Sequence, residues 1–345
     1  MVVEVTRGGV VESRHRASIA VVAADGELIA SVGDPDQVLF LRSSAKPFQL
    51  APFVASGRFD GYGFGNPDEG LAIMAASHSG EDRHVRTVQA LLRQGGLSRE
   101  VLQCGTHPPF DSETAARLIR DGEPLTPLRH NCSGKHAGMA LHAKAASWEV
   151  ETYWHPEHPV QRLALDAVAA VTDLPPAEIE TATDGCGVVT FALPLRNAAL
   201  AFARLADPAS LTDDALRGAL PRIRDAMMEH PELVAGERHR LDTALMRAAP
   251  GAVVSKGGAE GLSSVGVLGG GEKQRRDGRA LGIAVRIEDG DGARRAGGVA
   301  VCATLRQLGI LDDAAIELLR EFAAPTVLDP RGEPSGEVRA TFTLQ

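Results

Sequence analysis

The chain has 345 residues, 44% of them hydrophobic and 23% charged, with a formal net charge of −9 at neutral pH. That length can bury a large core, or two lobes sharing an interface, and the acidic balance with scattered Lys and Arg offers no basic stripe to track phosphates, which argues against nucleic acid as a partner. Glu4, Arg7, Glu12, Arg14 and Arg16 interrupt the start of the chain, so no continuous leader or anchor is expected there, and the reading is of a cytoplasmic protein with no membrane partner.

In chain order, Ile19-Ala20-Val21-Val22-Ala23 and Leu28-Ile29-Ala30-Ser31-Val32 flank Asp25-Gly26. That pair tolerates the positive φ of a tight turn, so the chain is expected to open in antiparallel sheet. At Arg42-Ser43-Ser44-Ala45-Lys46-Pro47 the pattern turns helical, with Phe48, Leu50, Phe53 and Val54 apolar before Gly57. Proline is tolerated in a first turn, which places the helix start at Ser43 or Ser44. Residues three apart at such a start share a face, so the Lys46 amine is expected to reach the Ser43 hydroxyl. A serine hydroxyl is a weak nucleophile at neutral pH, and an amine kept neutral by burial or a nearby cation can take its proton. Ser44 competes as nucleophile or cap, and S-x-x-K also arises where serine merely caps and lysine decorates a helix.

Ala75-Ala76-Ser77-His78-Ser79-Gly80-Glu81 follows an apolar run and gathers two hydroxyls, an imidazole and a carboxylate at one turn. Ser77 could relay protons to Ser43, or Ser77 or Ser79 could cap the helix that follows. From about Asp82 to Met246, Ala, Leu, Arg and Glu recur at helical spacing. Within this stretch, His130-Asn131-Cys132-Ser133-Gly134-Lys135-His136 packs amide, thiol, hydroxyl, amine and imidazole into one loop, and Thr183-Asp184-Gly185-Cys186-Gly187 forms a second tight turn. Asp184 could accept from a substrate ammonium. Two thiolates are good but incomplete zinc ligands, to which His136 or Lys135 would have to add; two isolated buried thiols are the alternative.

After Ala248 strand-like runs return at Ala252-Val253-Val254-Ser255, Ser264-Val265-Gly266-Val267-Leu268 and Leu281-Gly282-Ile283-Ala284-Val285-Arg286-Ile287, so that the chain ends would share a sheet. Lys256-Gly257-Gly258 ends the first of these and resembles the K-T-G element of penicillin-binding enzymes, its glycines letting backbone pass close to a ligand. Gly269-Gly270-Gly271 to Gly278 reads as an exposed hairpin loop, and a helix is expected from about Ala293 to near Gly309. The cysteines, Cys104, Cys132, Cys186 and Cys302, are far apart and expected to be reduced, with Cys302 a small apolar core residue.

Together, Arg42-Ser43-Ser44-Ala45-Lys46-Pro47, Ala76-Ser77-His78-Ser79-Gly80-Glu81, Asn131-Cys132-Ser133-Gly134-Lys135-His136, Asp184-Gly185-Cys186 and Lys256-Gly257-Gly258 resemble the thermolabile L-asparaginase family of Rhizobium etli type, almost end to end. The resemblance implies an α/β fold of the α+β type, similar to serine β-lactamases and glutaminases, with a mixed α/β lobe beside a helical lobe. Residues 1–345 would form a single catalytic unit, the first lobe from 1–42 and 250–345 and the helical lobe from 43–249. It further implies a homodimer that hydrolyses the side-chain amide of L-asparagine, with Ser43 as nucleophile, Lys46 beside it, and Ser77 and Lys256 as a second hydroxyl and amine. One zinc ion per chain would sit on Cys132, Lys135 and Cys186, with solvent completing the shell and no organic cofactor. A zwitterionic amino-acid substrate needs a carboxylate clamp, for which Arg42 is the candidate, and contacts from Asn131 and Asp184. The rivals are a glutaminase or other serine acyl-hydrolase of the same fold, and a non-catalytic zinc or ligand-binding protein.

Overall fold

The computed structural model describes residues 1–270, 278–292 and 295–345, so part of the Gly269–Gly278 loop lies outside the described residues. The chain forms two compact units, Met1–Ser44 with Leu193–Ser210 and His239–Gln345, and Ala45–Ala192 with Leu211–Arg238.

The first unit is built on a five-stranded sheet in the order Leu28–Val32, Ala17–Ala23, Leu281–Ile287, Leu262–Val267, Val253–Gly257. Each of its pairings is antiparallel. Strands Ala17–Ala23 and Leu262–Val267 are buried along their whole length, which explains why they read as unbroken apolar runs and not as alternation. On one face Ile19, Val21, Ile283 and Val285 pack with Val299, Val301 and Leu305 of helix Ala296–Gln307. On the other lies helix Leu195–Ala206, and glycines decide how close it comes. A Cβ on Gly282 would stand 1.7 Å from the Ala199 carbonyl oxygen, and one on Gly266 2.6 Å from that of Phe202. Only a residue without a side chain admits the helix backbone there. A second sheet, ordered Thr326–Leu328, Pro334–Ala340, Val3–Arg7, Val10–His15, joins the two chain ends.

The second unit is mainly helical, with Lys46–Ala55, Pro67–Met74, Asp82–Gln94, Ser112–Asp121, Ser133–Ala145, Pro159–Thr172 and Asp214–Glu229 as its longer helices. Helix Ser133–Ala145 is its buried axis: every residue from Ser133 to Ala143 is shielded from solvent. Small residues make this possible, since a Cβ on Gly134 would meet the Ile73 carbonyl oxygen at 2.0 Å. Among the described residues no helix is long and apolar enough to cross a membrane.

Three local expectations change. The helix expected to begin at Ser43 or Ser44 begins at Lys46, preceded by a 3-10 turn over Arg42–Ala45; Arg42 has φ +48°, which an α-helical first turn does not accommodate. Helix Asp82–Gln94 is capped by Glu81, whose backbone N–H donates to His84 Nδ1 at 3.0 Å, and not by Ser77 or Ser79. The helical middle also contains an antiparallel hairpin, Glu180–Thr183 with Val189–Pro194. Its tip is the Asp184–Cys186 turn, and the Thr- and Val-rich flanks around Asp184-Gly185 are the signal that would have found it.

Candidate active site

In the helical unit two buried lysines face two buried thiols. Lys46, the first residue of its helix and wholly buried, donates from Nζ to the Ala76 carbonyl oxygen at 2.6 Å and to Ser77 Oγ at 2.8 Å. Burial pushes the Lys46 amine below its ordinary range, the Lys135 charge adds to this, and Cys132 and Cys186 oppose it. Ser77 is held by its own N–H, which donates to the Val234 carbonyl oxygen at 2.9 Å. The turn that carries it is tied to the thiol loop by the His78 N–H, which donates to the Asn131 carbonyl oxygen at 3.2 Å, while Gly80 N–H donates to His78 Nδ1 at 3.2 Å. His78 Nε2 is thereby left to donate to Ser133 Oγ at 2.9 Å.

Lys135, on the first turn of helix Ser133–Ala145, donates from Nζ to Cys186 Sγ at 3.0 Å and lies 3.8 Å from Asp184 Oδ2. Burial acts to lower its pKa, but Cys186, Cys132 and Asp184 together carry it above the ordinary lysine value, which makes it an ammonium. Ligation of a metal through that nitrogen would require its proton to leave. Interaction with Cys186 and with the two lysine charges draws the Cys132 thiol well below its ordinary range, while interaction with Cys132 and burial push Cys186 up. Asp184 belongs to this cluster: Oδ1 accepts from Gly185 N–H at 2.9 Å and Oδ2 from the Cys186 thiol at 3.4 Å. His136 lies on the same side, with Nδ1 2.7 Å from the Tyr153 hydroxyl and Nε2 buried without a hydrogen-bond partner.

In the sheet unit Ser43 and Ser44 separate cleanly. Ser44 is buried, donates to the Lys256 carbonyl oxygen at 3.0 Å and receives Ser264 Oγ at 3.3 Å, so it is structural. Ser43 stays partly exposed, next to the left-handed Arg42, a conformation that costs roughly 1–3 kcal/mol and persists only where the surroundings enforce it. Lys256 is fully buried at the end of strand Val253–Gly257, with Nζ donating to the Gly257 carbonyl oxygen at 2.7 Å. Asp242, which the sequence did not single out, pins that strand end. It accepts from Ser255 Oγ at 2.7 Å and from Gly257 N–H at 2.9 Å. The close approach at the paired glycines is to the protein's own backbone, since a Cβ on Gly258 would stand 3.0 Å from the Leu41 carbonyl oxygen.

The sequence matches the L-asparaginase II family over residues 3–340. The chain belongs to that family. It is an enzyme, an amidohydrolase, and the Lys46–Ser77 contact and the thiol cluster are features of a family member. No curated protein matches the sequence significantly. Among solved structures, similar ones include a Bacillus glutaminase in 4.3 M NaCl at 13% identity and TM-score 0.42, covering 86% of this chain and 92% of that one. A probable glutaminase from Bacillus subtilis complexed with 6-diazo-5-oxo-L-norleucine is similar at 15% identity and TM-score 0.41, covering 86% and 85%.

For zinc, the donor chemistry of Cys132, Lys135 and Cys186 fits: the Lys135 nitrogen already touches the Cys186 sulfur, Cys132 is close enough to act on both electrostatically, and His136 Nε2 is buried without a hydrogen-bond partner. Among the described residues no three His, Cys, Asp or Glu side chains are spaced to hold a metal, so a site here needs the lysine nitrogen or a rearranged histidine.

Proposed function

We propose that this amidohydrolase converts L-asparagine to L-aspartate and ammonia through a Ser-Lys nucleophile and an acyl-enzyme. Lys46 takes the proton of Ser43, one turn away along the chain, as Oγ bonds to the side-chain amide carbon. The C–N bond then breaks, the departing nitrogen takes up a proton as ammonia, and water hydrolyses the ester to release aspartate. Ser77 and Lys256 shuttle protons. Arg42 holds the substrate carboxylate, Asp184 accepts from its ammonium, and Asn131 contacts the same substrate.

The observation that carries this reading is the state of Lys46: an amine buried to the last atom and pushed down in pKa, hydrogen-bonded to a second serine. A solvated helix lysine would keep its proton and could not act as a base. Cys132, Lys135 and Cys186 would hold one zinc ion, whose charge would fix the two turns that carry Asn131 and Asp184. We further propose a cytoplasmic homodimer acting as a single catalytic unit.

Ammonia release measured across L-asparagine, L-glutamine and simple β-lactams tests the assignment, with turnover expected on asparagine above the others. Preference for glutamine or a β-lactam would make the enzyme another serine acyl-hydrolase. Stoichiometric zinc with no amide hydrolysis would make it a binding protein.

A further inference from the structure

His107 sits in a loop that carries no recognisable motif, yet it lies directly against Asn131. Its ring stacks on Phe110 at 4.9 Å between centroids and tilts against His130 at 4.3 Å, and both of its nitrogens have defined partners. Nδ1 is 2.6 Å from the Pro108 carbonyl oxygen. A carbonyl only accepts, so Nδ1 carries a proton. Nε2 receives the Asn131 backbone N–H at 3.2 Å, so it carries a lone pair. These two contacts admit one state, the neutral Nδ1–H tautomer.

The third contact conflicts with that state as placed. Nε2 lies 3.0 Å from Asn131 Oδ1, lone pair against lone pair. Amide oxygen and nitrogen are nearly identical in size, and half a turn of the carboxamide turns Nδ2–H toward Nε2, so that two N–H donors share its one lone pair and no lone pairs oppose each other. The protonated alternative, with Nε2–H donating to Oδ1, would set that N–H against the Asn131 backbone N–H.

We infer that His107 is a positioning residue that holds the Asn131 amide with its NH2 turned inward, leaving Oδ1 as a fixed acceptor for the substrate's α-ammonium. Asn131 then does not donate to the substrate carboxylate. An ammonium has three N–H donors, so Asn131 and Asp184 can serve it together, and a charged donor gives a lone neutral acceptor its strongest bond. Asn131 is partly exposed, in keeping with an oxygen that faces outward. This inference rests on the proposed reading of an amino-acid substrate beside Asn131, and its two measurements separate the device from that reading.

First, long-range 1H–15N spectra of the histidine-labelled wild-type protein near neutral pH should show His107 protonated at Nδ1 and bare at Nε2. An Nε2–H tautomer or an imidazolium would overturn the orientation of Asn131 whatever the substrate is. Second, calorimetry compares the product L-aspartate with succinate, which lacks only the amine. His107→Phe keeps a ring for Phe110 and His130 but offers no acceptor, and should weaken aspartate binding roughly tenfold or more with succinate unchanged. His107→Gln, which can still accept, should restore part of the loss. Equal weakening of both ligands, or of neither, would overturn the acceptor role. Failure of aspartate to bind wild-type protein that shows the expected tautomer would overturn that role together with the amino-acid reading.

Discussion

Replacing Lys46 by Met separates chemistry from stability. The two side chains are of similar length, so the buried slot stays filled. The substitution deletes the hydrogen bonds to the Ala76 carbonyl oxygen at 2.6 Å and to Ser77 Oγ at 2.8 Å, each worth about 1 kcal/mol net, and leaves a buried carbonyl unpaired at about 1–3 kcal/mol. It also removes the cost of desolvating an amine, so the net loss of stability should stay under about 3 kcal/mol. Turnover should fall by about 10²–10⁴, the range for a lost general base. Stability as a function of pH carries a second signature. Burial places the folded pKa of Lys46 below its unfolded one, so between those two values the unfolded chain binds the extra proton. Wild-type stability therefore gains up to about 1.4 kcal/mol per pH unit until the unfolded amine titrates near about pH 10.4, and Lys46→Met loses that gain. Urea unfolding from neutral to alkaline pH, beside ammonia release, measures both. Turnover above roughly a tenth of wild type, or stability differences that do not change with pH, would refute the reasoning.

Ser43→Ala should abolish turnover with the fold intact, whereas Ser44→Ala should cost about 1–3 kcal/mol in urea unfolding and leave kcat near wild type, because Ser44 holds Lys256 and Ser264 in the core. An acyl adduct trapped on Ser77 would reverse that assignment. Lys46→Arg should be inactive, since guanidinium keeps its proton at any working pH; full ammonia release from it would remove Lys46 as the base. Cys132→Ser and Cys186→Ser should each lose zinc by elemental analysis and raise KM more than they lower kcat, while unchanged metal content would return both to ordinary buried thiols. Gly282→Ala should destabilise the sheet unit by several kcal/mol, about 3 or more, because the added carbon would stand 1.7 Å from the Ala199 carbonyl oxygen; near-wild-type melting would mean that helix Leu195–Ala206 is not held that closely.

What the sequence determined by itself was local. Asp25-Gly26 between two apolar runs specified the hairpin of Ala17–Ala23 and Leu28–Val32, and the apolar runs after Ala248 specified the strands that complete the sheet. The clusters around Ser43, Ser77, Cys132 and Cys186 were legible because reactive side chains crowd there more densely than packing requires. What tertiary structure decided was which of them meet. Lys135 touches Cys186 and Lys46 touches Ser77 across 51 and 31 positions of sequence, distances over which no periodicity carries information. Helix Leu195–Ala206 has the same composition as its helical neighbours, yet it belongs to the sheet unit. Gly266 and Gly282 explain why: a missing side chain makes room for a backbone, and a chain read alone does not tell which backbone will fill it. His107 and Asp242 stayed hidden for a related reason. Their roles depend on hydrogen bonds to residues outside their own local segment, Asp242 to Ser255 and Gly257 and His107 to Asn131, and such bonds hold only once packing has excluded water from around them.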